Sequence, residues 1–129
     1  MVGYAHPVER LALDRLIPGH MLFDALDPEL PATLSPAVLQ GLLRDELGYR
    51  GLVVSDDLEM KAVADGWGIA ESAVRSVEAG CDTVLVCSDV DAAFAARDAL
   101  AARASSDEAF AARLAEGCER SLSLRRGRP

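Results

Sequence analysis

At 129 residues the chain is long enough for one globular domain with a sizeable core. Its 50% hydrophobic and 26% charged residues exclude a disordered or fibrous polypeptide. A formal net charge of −8 and a pI near 4.6 argue against nucleic acid or an anionic membrane surface as partner, because both carry the same sign.

Three cysteines, Cys81, Cys87 and Cys118, form an odd set without CxxC spacing, so neither a disulfide framework nor a zinc site is expected, and no cofactor motif is visible. Reduced thiols in a cytosolic protein fit that pattern. No apolar run approaches the roughly 20 residues needed to span a bilayer, and the N-terminus lacks the charged-then-apolar order of a signal peptide. A cytoplasmic location is the expectation.

In chain order, residues 7–15 read as a short helix and Leu16 to Phe23 as a strand made irregular by Pro18 and Gly19. Asp24 to Leu34 carries Pro28 and Pro31 and reads as a loop. Ser35 then caps a helix with Pro36 at its first position, and Val38, Leu39, Leu42, Leu43 and Leu47 share one apolar face up to Gly48. Residues 51–55 read as a strand buried on both faces. Leu58 to Ala64 predict one or two helical turns, broken at Asp65-Gly66-Trp67-Gly68. Trp67 is either a sugar platform or a packing residue.

Ala70, Ala73, Val74 and Val77 place a helix over 69–79, closed by Gly80. Thr83 to Cys87 is a third buried strand, β-branched and uninterrupted. Ser88 or Asp89 caps an alanine-rich helix running to about Arg103, and Ser106 or Asp107 opens a last helix with Phe110, Leu114 and Cys118 at four-residue steps. The basic cluster Arg125, Arg126 and Arg128 reads as a solvated tail. The alternation of strand and helix predicts an α/β fold of about three βα units with parallel strands.

Chemistry concentrates where the apolar run Val53-Val54 breaks into Ser55-Asp56-Asp57-Leu58-Glu59-Met60. Catalytic groups in parallel α/β folds collect at such strand ends. The blander alternative is that Asp57 only caps the helix that follows.

The words GLLRDELGYRGLVVSDDLEMKAV and AGCDTVLVC, with an alanine-rich helix between them, resemble the later part of glycoside hydrolase family three, in its bacterial β-N-acetylhexosaminidase branch. The resemblance runs from about Leu16 to Cys87, with a looser helical tail. It implies a (β/α)₈ TIM-type barrel, cleavage of terminal β-N-acetylglucosaminides in carbohydrate and peptidoglycan metabolism, and no cofactor. It also implies that Asp56 is the nucleophile, because the first Asp of the family's SDD motif has that role, and that Asp57 and Met60 lie on the substrate side. His20 takes the histidine of a segment resembling MPAHV. That side chain either faces the sugar, and so joins the substrate-binding set, or is hydrogen-bonded within the fold.

The family's KHFPGHG segment and the loop bearing its Asp and His acid/base pair match nothing in this sequence, so the nucleophile is expected without its proton donor. A whole barrel takes roughly 250 residues and a βα unit about 30, so 129 residues as a single domain correspond to the C-terminal portion of a barrel. Two strand edges would then invite self-association or a complementary upstream fragment.

Two readings stand against an active glycosidase. One is a non-catalytic remnant, serving as a sugar-binding or assembly piece. The other is a receiver-like phosphoacceptor domain, which shares strand, Asp and Leu-x-Met but needs a first-strand acidic pair and a late lysine. Lys61, the one lysine, is wrongly placed for it.

Overall fold

The computed structural model describes residues 15–20 and 22–127. Strands β1 (Arg15–Leu16), β2 (Leu52–Asp57) and β3 (Thr83–Leu85) form a parallel sheet in chain order. Helices α1 (Ala37–Glu46), α2 (Lys61–Ala79), α3 (Val90–Ser106) and α4 (Glu108–Arg126) complete the α/β arrangement that the alternation predicts. No described helix is long and apolar enough to cross a membrane. The helix expected over 7–15 lies, apart from Arg15, outside the described residues.

Several boundaries move for identifiable reasons. The first strand stops at Leu16 instead of Phe23, because Pro18 has no N–H to give to a ladder and the chain beyond it is irregular. Within the expected loop, Asp27 accepts the N–H groups of Glu29 and Leu30, and residues Ala32–Leu34 wind into a short 3₁₀ turn. The Ser35 hydroxyl takes the Val38 N–H, as a cap should, and donates to Asp27. Helix α1 is wound more widely than its apolar spacing predicts: Leu47 N–H reaches Leu42 C=O, five residues back.

Strand β2 keeps both aspartates in the ladder, with Asp57 in register with Leu85 and the Leu58 N–H bonded to the Leu85 carbonyl. Its side chains alternate between buried and half-buried, so it is fully covered on one face only. There Val53 packs among Leu39, Leu43, Tyr49, Ala79 and Cys81. β3 is half-buried throughout and ends at Leu85 instead of Cys87. Beyond it the Cys87 N–H turns toward side-chain carboxylates instead of a neighbouring strand.

Helix α2 breaks at Gly68, whose φ of 75° and ψ of 164° suit a residue without Cβ. The break falls within the stretch predicted for it. Trp67 packs beside Leu34, Leu58, Ala73 and Ala96, which favours the packing role over the sugar platform. Ala73, Val74 and Val77 are buried as predicted, whereas Ala70 is exposed. Asp89 caps α3 through the Ala92 N–H, and Asp107 caps α4 through that of Phe110. Phe110 fills a core against Val74 and Val77, while Cys118 faces solvent.

Helix α4 is drawn onto the sheet by one residue. The side chain of Asp82 is fully buried. One carboxylate oxygen accepts from Arg44 at 2.9 Å and from the Val53 N–H at 3.0 Å. The other accepts from Arg113 and Arg120, each at 2.9 Å. The Asp82 N–H returns a bond to the Val53 carbonyl, so the residue clips β2 to the entry of β3. Gly117 is there because of closeness: a Cβ on it would stand 2.9 Å from the Asp82 Cα and carbonyl oxygen.

Removing one partner of a buried charge pair typically costs about 3–5 kcal/mol, against a total stability of about 5–15 kcal/mol. Asp82→Ala should therefore lower the urea midpoint by a large fraction or prevent folding. A midpoint within experimental error of wild type would contradict this assignment.

Candidate active site

The site is built where β2 ends. Asp56 Oδ1 accepts the N–H of Asp57 at 2.8 Å, and among the described residues no further hydrogen bond to its carboxylate is present. Among the described residues its second oxygen has no partner, and it lies on a half-buried side of the strand end. An acceptor held by a single backbone N–H keeps its geometry while retaining nucleophilic electron density.

Asp57 is committed differently. Its Oδ1 takes the Glu59 N–H at 3.1 Å and the Cys87 N–H at 3.3 Å, and its carbonyl takes the Met60 N–H. The capping alternative is thus partly realised: Asp57 organises the turn 58–60, although α2 starts only at Lys61 with Met60 before it. Met60 projects outward and is 44% exposed.

His20 sits beneath the pair. Its Nε2–H donates to the Asp57 carbonyl at 2.8 Å, and Nδ1 lies 3.0 Å from the Thr33 hydroxyl. That hydroxyl in turn donates to the Gly19 carbonyl at 2.6 Å. Both ring nitrogens are thus engaged within the protein. Of the two roles left open by the sequence, this geometry favours a brace joining the β1 loop to the end of β2.

Two neighbours escaped the sequence reading. Ser55, fully buried, accepts the Leu85 N–H at 2.9 Å and donates to the Asp56 carbonyl at 2.8 Å, filling a register irregularity between β2 and β3. A lone serine inside an apolar strand was the available signal, since a buried hydroxyl requires partners. Glu59 accepts the N–H groups of Cys87, Ser88 and Asp89 and the Ser88 hydroxyl. Its partners lie 28 to 30 residues downstream, so no local pattern announces it. These bonds, led by the Ser88 N–H, hold the Glu59 carboxyl below the ordinary glutamate value.

Two of the thiols are suppressed. Burial, and secondly the charge of Asp82, push Cys81 up to about 12. Cys87 is also raised, by desolvation first and then by the adjacent Asp57, Glu59 and Asp56. Neither is a ready thiolate nucleophile. Among the described residues no cluster of His, Cys, Asp and Glu could hold a metal ion. A groove of about 800 Å³ runs beside Arg50, Gly51, Leu52 and α4, at the opposite end of β2 from Asp56.

Fold and site together define a class: a parallel α/β domain whose central strand ends in a carboxylate that, among the described residues, is held by one backbone N–H. The glycosyl hydrolase family 3 N terminal domain matches residues 1–124, and the chain belongs to that family. It is 48% identical over 90 residues to a beta-hexosaminidase of Alkalilimnicola ehrlichii, covering 67% of this chain and 25% of that protein. Among solved structures, a family 3 β-N-acetylglucosaminidase of Paenibacillus sp. superposes with a TM-score of 0.87 at 42% identity, over 95% of this chain and 23% of that one. A β-N-acetylhexosaminidase of Beutenbergia cavernae gives 0.81 at 31% identity, over 93% and 35%. The chain thus spans about a quarter of the length of the curated relative and a quarter to a third of these structures. Family membership removes the receiver-like alternative.

Ser55→Ala would leave a backbone N–H and a carbonyl without their shared partner beside Asp56. A loss of about 1–3 kcal/mol in denaturant unfolding is predicted. An unchanged midpoint would show that the ladder irregularity is satisfied without the hydroxyl.

Proposed function

We propose that this chain supplies the nucleophile portion of a retaining β-N-acetylhexosaminidase site, with residues 1–129 forming one domain that corresponds to the closing part of a (β/α)₈ barrel. The observation that carries this reading is the single N–H bond to Asp56 at the carboxyl end of the central parallel strand. Family membership and the beta-hexosaminidase names of its relatives support it.

In this mechanism the unengaged Asp56 oxygen attacks the anomeric carbon of a terminal N-acetylglucosaminide. The bond from that carbon to the aglycone oxygen breaks, and the aglycone departs with its electron pair and gains a proton. Water then attacks the same carbon, releasing the sugar and regenerating the carboxylate. Asp57 and His20 hold the strand end in place, and Met60 offers an exposed apolar contact at its rim. Three free cysteines accord with a cytoplasmic location, and a role in peptidoglycan recycling follows from the family reading.

The slow step is protonation of the leaving group. No part of the sequence matches the family's acid/base loop, and His20 has both nitrogens engaged. Positioned proton transfer is commonly worth about 10² to 10⁴-fold. A non-catalytic or sugar-binding piece is the competing reading, favoured by the engagement of both His20 ring nitrogens within the protein.

The outer edge of β3 has no partner strand among the described residues, and β1 pairs there with β2 alone. Such edges recruit a complementary barrel fragment or a second copy. Light scattering should therefore report species larger than 13.7 kDa, and a stable monomer at high concentration would count against this partner proposal.

The activity test compares nitrophenyl N-acetylglucosaminide with a natural disaccharide. Slow cleavage of the aryl glycoside, negligible cleavage of the disaccharide, and loss of both in Asp56→Ala are predicted. Full aryl-glycoside activity in Asp56→Ala would sink the assignment of Asp56.

A further inference from the structure

Glu59 lies three residues beyond Asp56, and its carboxylate is saturated by one loop. Oε2 accepts the Cys87 N–H at 3.1 Å, the Ser88 N–H at 2.8 Å and the Ser88 hydroxyl at 3.0 Å. Oε1 accepts the Asp89 N–H at 3.0 Å. Three consecutive amides, the last of them at the cap of α3, thus converge on one side chain from the neighbouring strand's exit. Helix starts present unpaired N–H groups and positive potential, which makes a carboxylate an effective anchor there.

The seam continues inward. The Cys87 N–H is shared between Glu59 and Asp57 Oδ1, while the Asp57 N–H bonds Asp56 Oδ1. An unbroken run of hydrogen bonds therefore leads from the β3 loop through Asp57 to the carboxylate assigned as nucleophile.

We propose that Glu59 is a positioning residue for Asp56: it seats the loop 87–89 against the end of β2, which fixes Asp57 and through it the Asp56 carboxylate. This inference rests on the proposed glycosidase reading for its catalytic consequence, but the seating of the loop stands independently. Glu59 is half-buried at the strand end and belongs to neither apolar core beside β2, so its removal leaves those cores and the Asp82 cluster in place.

The test uses the full 129-residue chain as wild type, Glu59→Ala and Glu59→Gln. Gln preserves volume but turns an amide NH₂ toward donors that need an acceptor. Amide hydrogen exchange is read at residues 87–89 and at 53–55, alongside single-turnover cleavage of nitrophenyl N-acetylglucosaminide. Both variants should lose protection at 87–89 and keep it at 53–55. Their maximal cleavage rate should fall about ten- to hundredfold with half-saturation unchanged, since an error of about 1 Å at a reacting group carries such a cost.

Unaltered exchange at 87–89 overturns the proposal, and so does lost protection with an unaltered maximal rate. Weakened half-saturation at full maximal rate also overturns it, because Glu59 would then contact the sugar itself. A wild-type chain that cleaves nothing defeats the glycosidase reading, and the exchange data alone then decide whether Glu59 seats the loop.

Discussion

The Asp82 carboxylate accepts bonds from Arg44, Arg113, Arg120 and the Val53 N–H, and through them joins α1, β2, the entry to β3, and α4. A lone buried carboxylate would be prohibitive in free energy, and three guanidiniums around a single acid would repel one another. Glu116, on the surface turn of α4, relieves part of that excess by pairing with Arg120 and lying 3.9 Å from Arg113. Arg44 also donates through Nη1 to the carbonyls of Tyr49 and Gly51 and rests over the Tyr49 ring. Burial is the leading reason its guanidinium is lowered from the usual arginine value. With three short strands among the described residues, the sheet relies on this cluster to hold its entry end.

Fixing one end leaves the other available for chemistry. At the exit end of β2 three acidic side chains lie within four residues, yet their hydrogen bonds give them separate duties. Glu59 is occupied by the β3 loop, Asp57 by the turn after the strand, and Asp56 by a single N–H. Adjacent strand residues point to opposite faces, so Asp56 and Asp57 cannot serve as the two carboxylates of a retaining pair, which need to face each other at about 5 Å. The arrangement gives an oriented carboxylate at Asp56, the proposed nucleophile, with no acid facing it among the hydrogen-bonded groups described.

Much of this was legible from local pattern. Strand–helix alternation, the parallel order, the break at Gly68 and the caps at Asp89 and Asp107 all follow from short-range chemistry. The motif around Asp56 announced the family. Long-range pairs were not legible: nothing near Asp82 predicts arginines 31 and 38 residues away, and nothing near Glu59 predicts the amides of the β3 loop. The truncated first strand and the wide winding of α1 were missed for a different reason. There Pro18 ended the ladder early, and the apolar spacing of α1 carries no signal for bonds that reach five residues back. His20 was left open between two roles because a histidine's partners, Thr33 and the Asp57 carbonyl, are set by the fold and not by its neighbours in sequence.

The central claim is that the unengaged oxygen of Asp56 forms the bond to the sugar. It is tested most directly by mass spectrometry of the acid-quenched protein after incubation with an activated aryl N-acetylglucosaminide whose leaving group needs no proton. A sugar ester on the peptide carrying Ser55 to Met60, localised by fragmentation to Asp56, is the predicted result. An ester on Asp57 or Glu59, or cleavage of the substrate with no ester on this chain, would contradict the account.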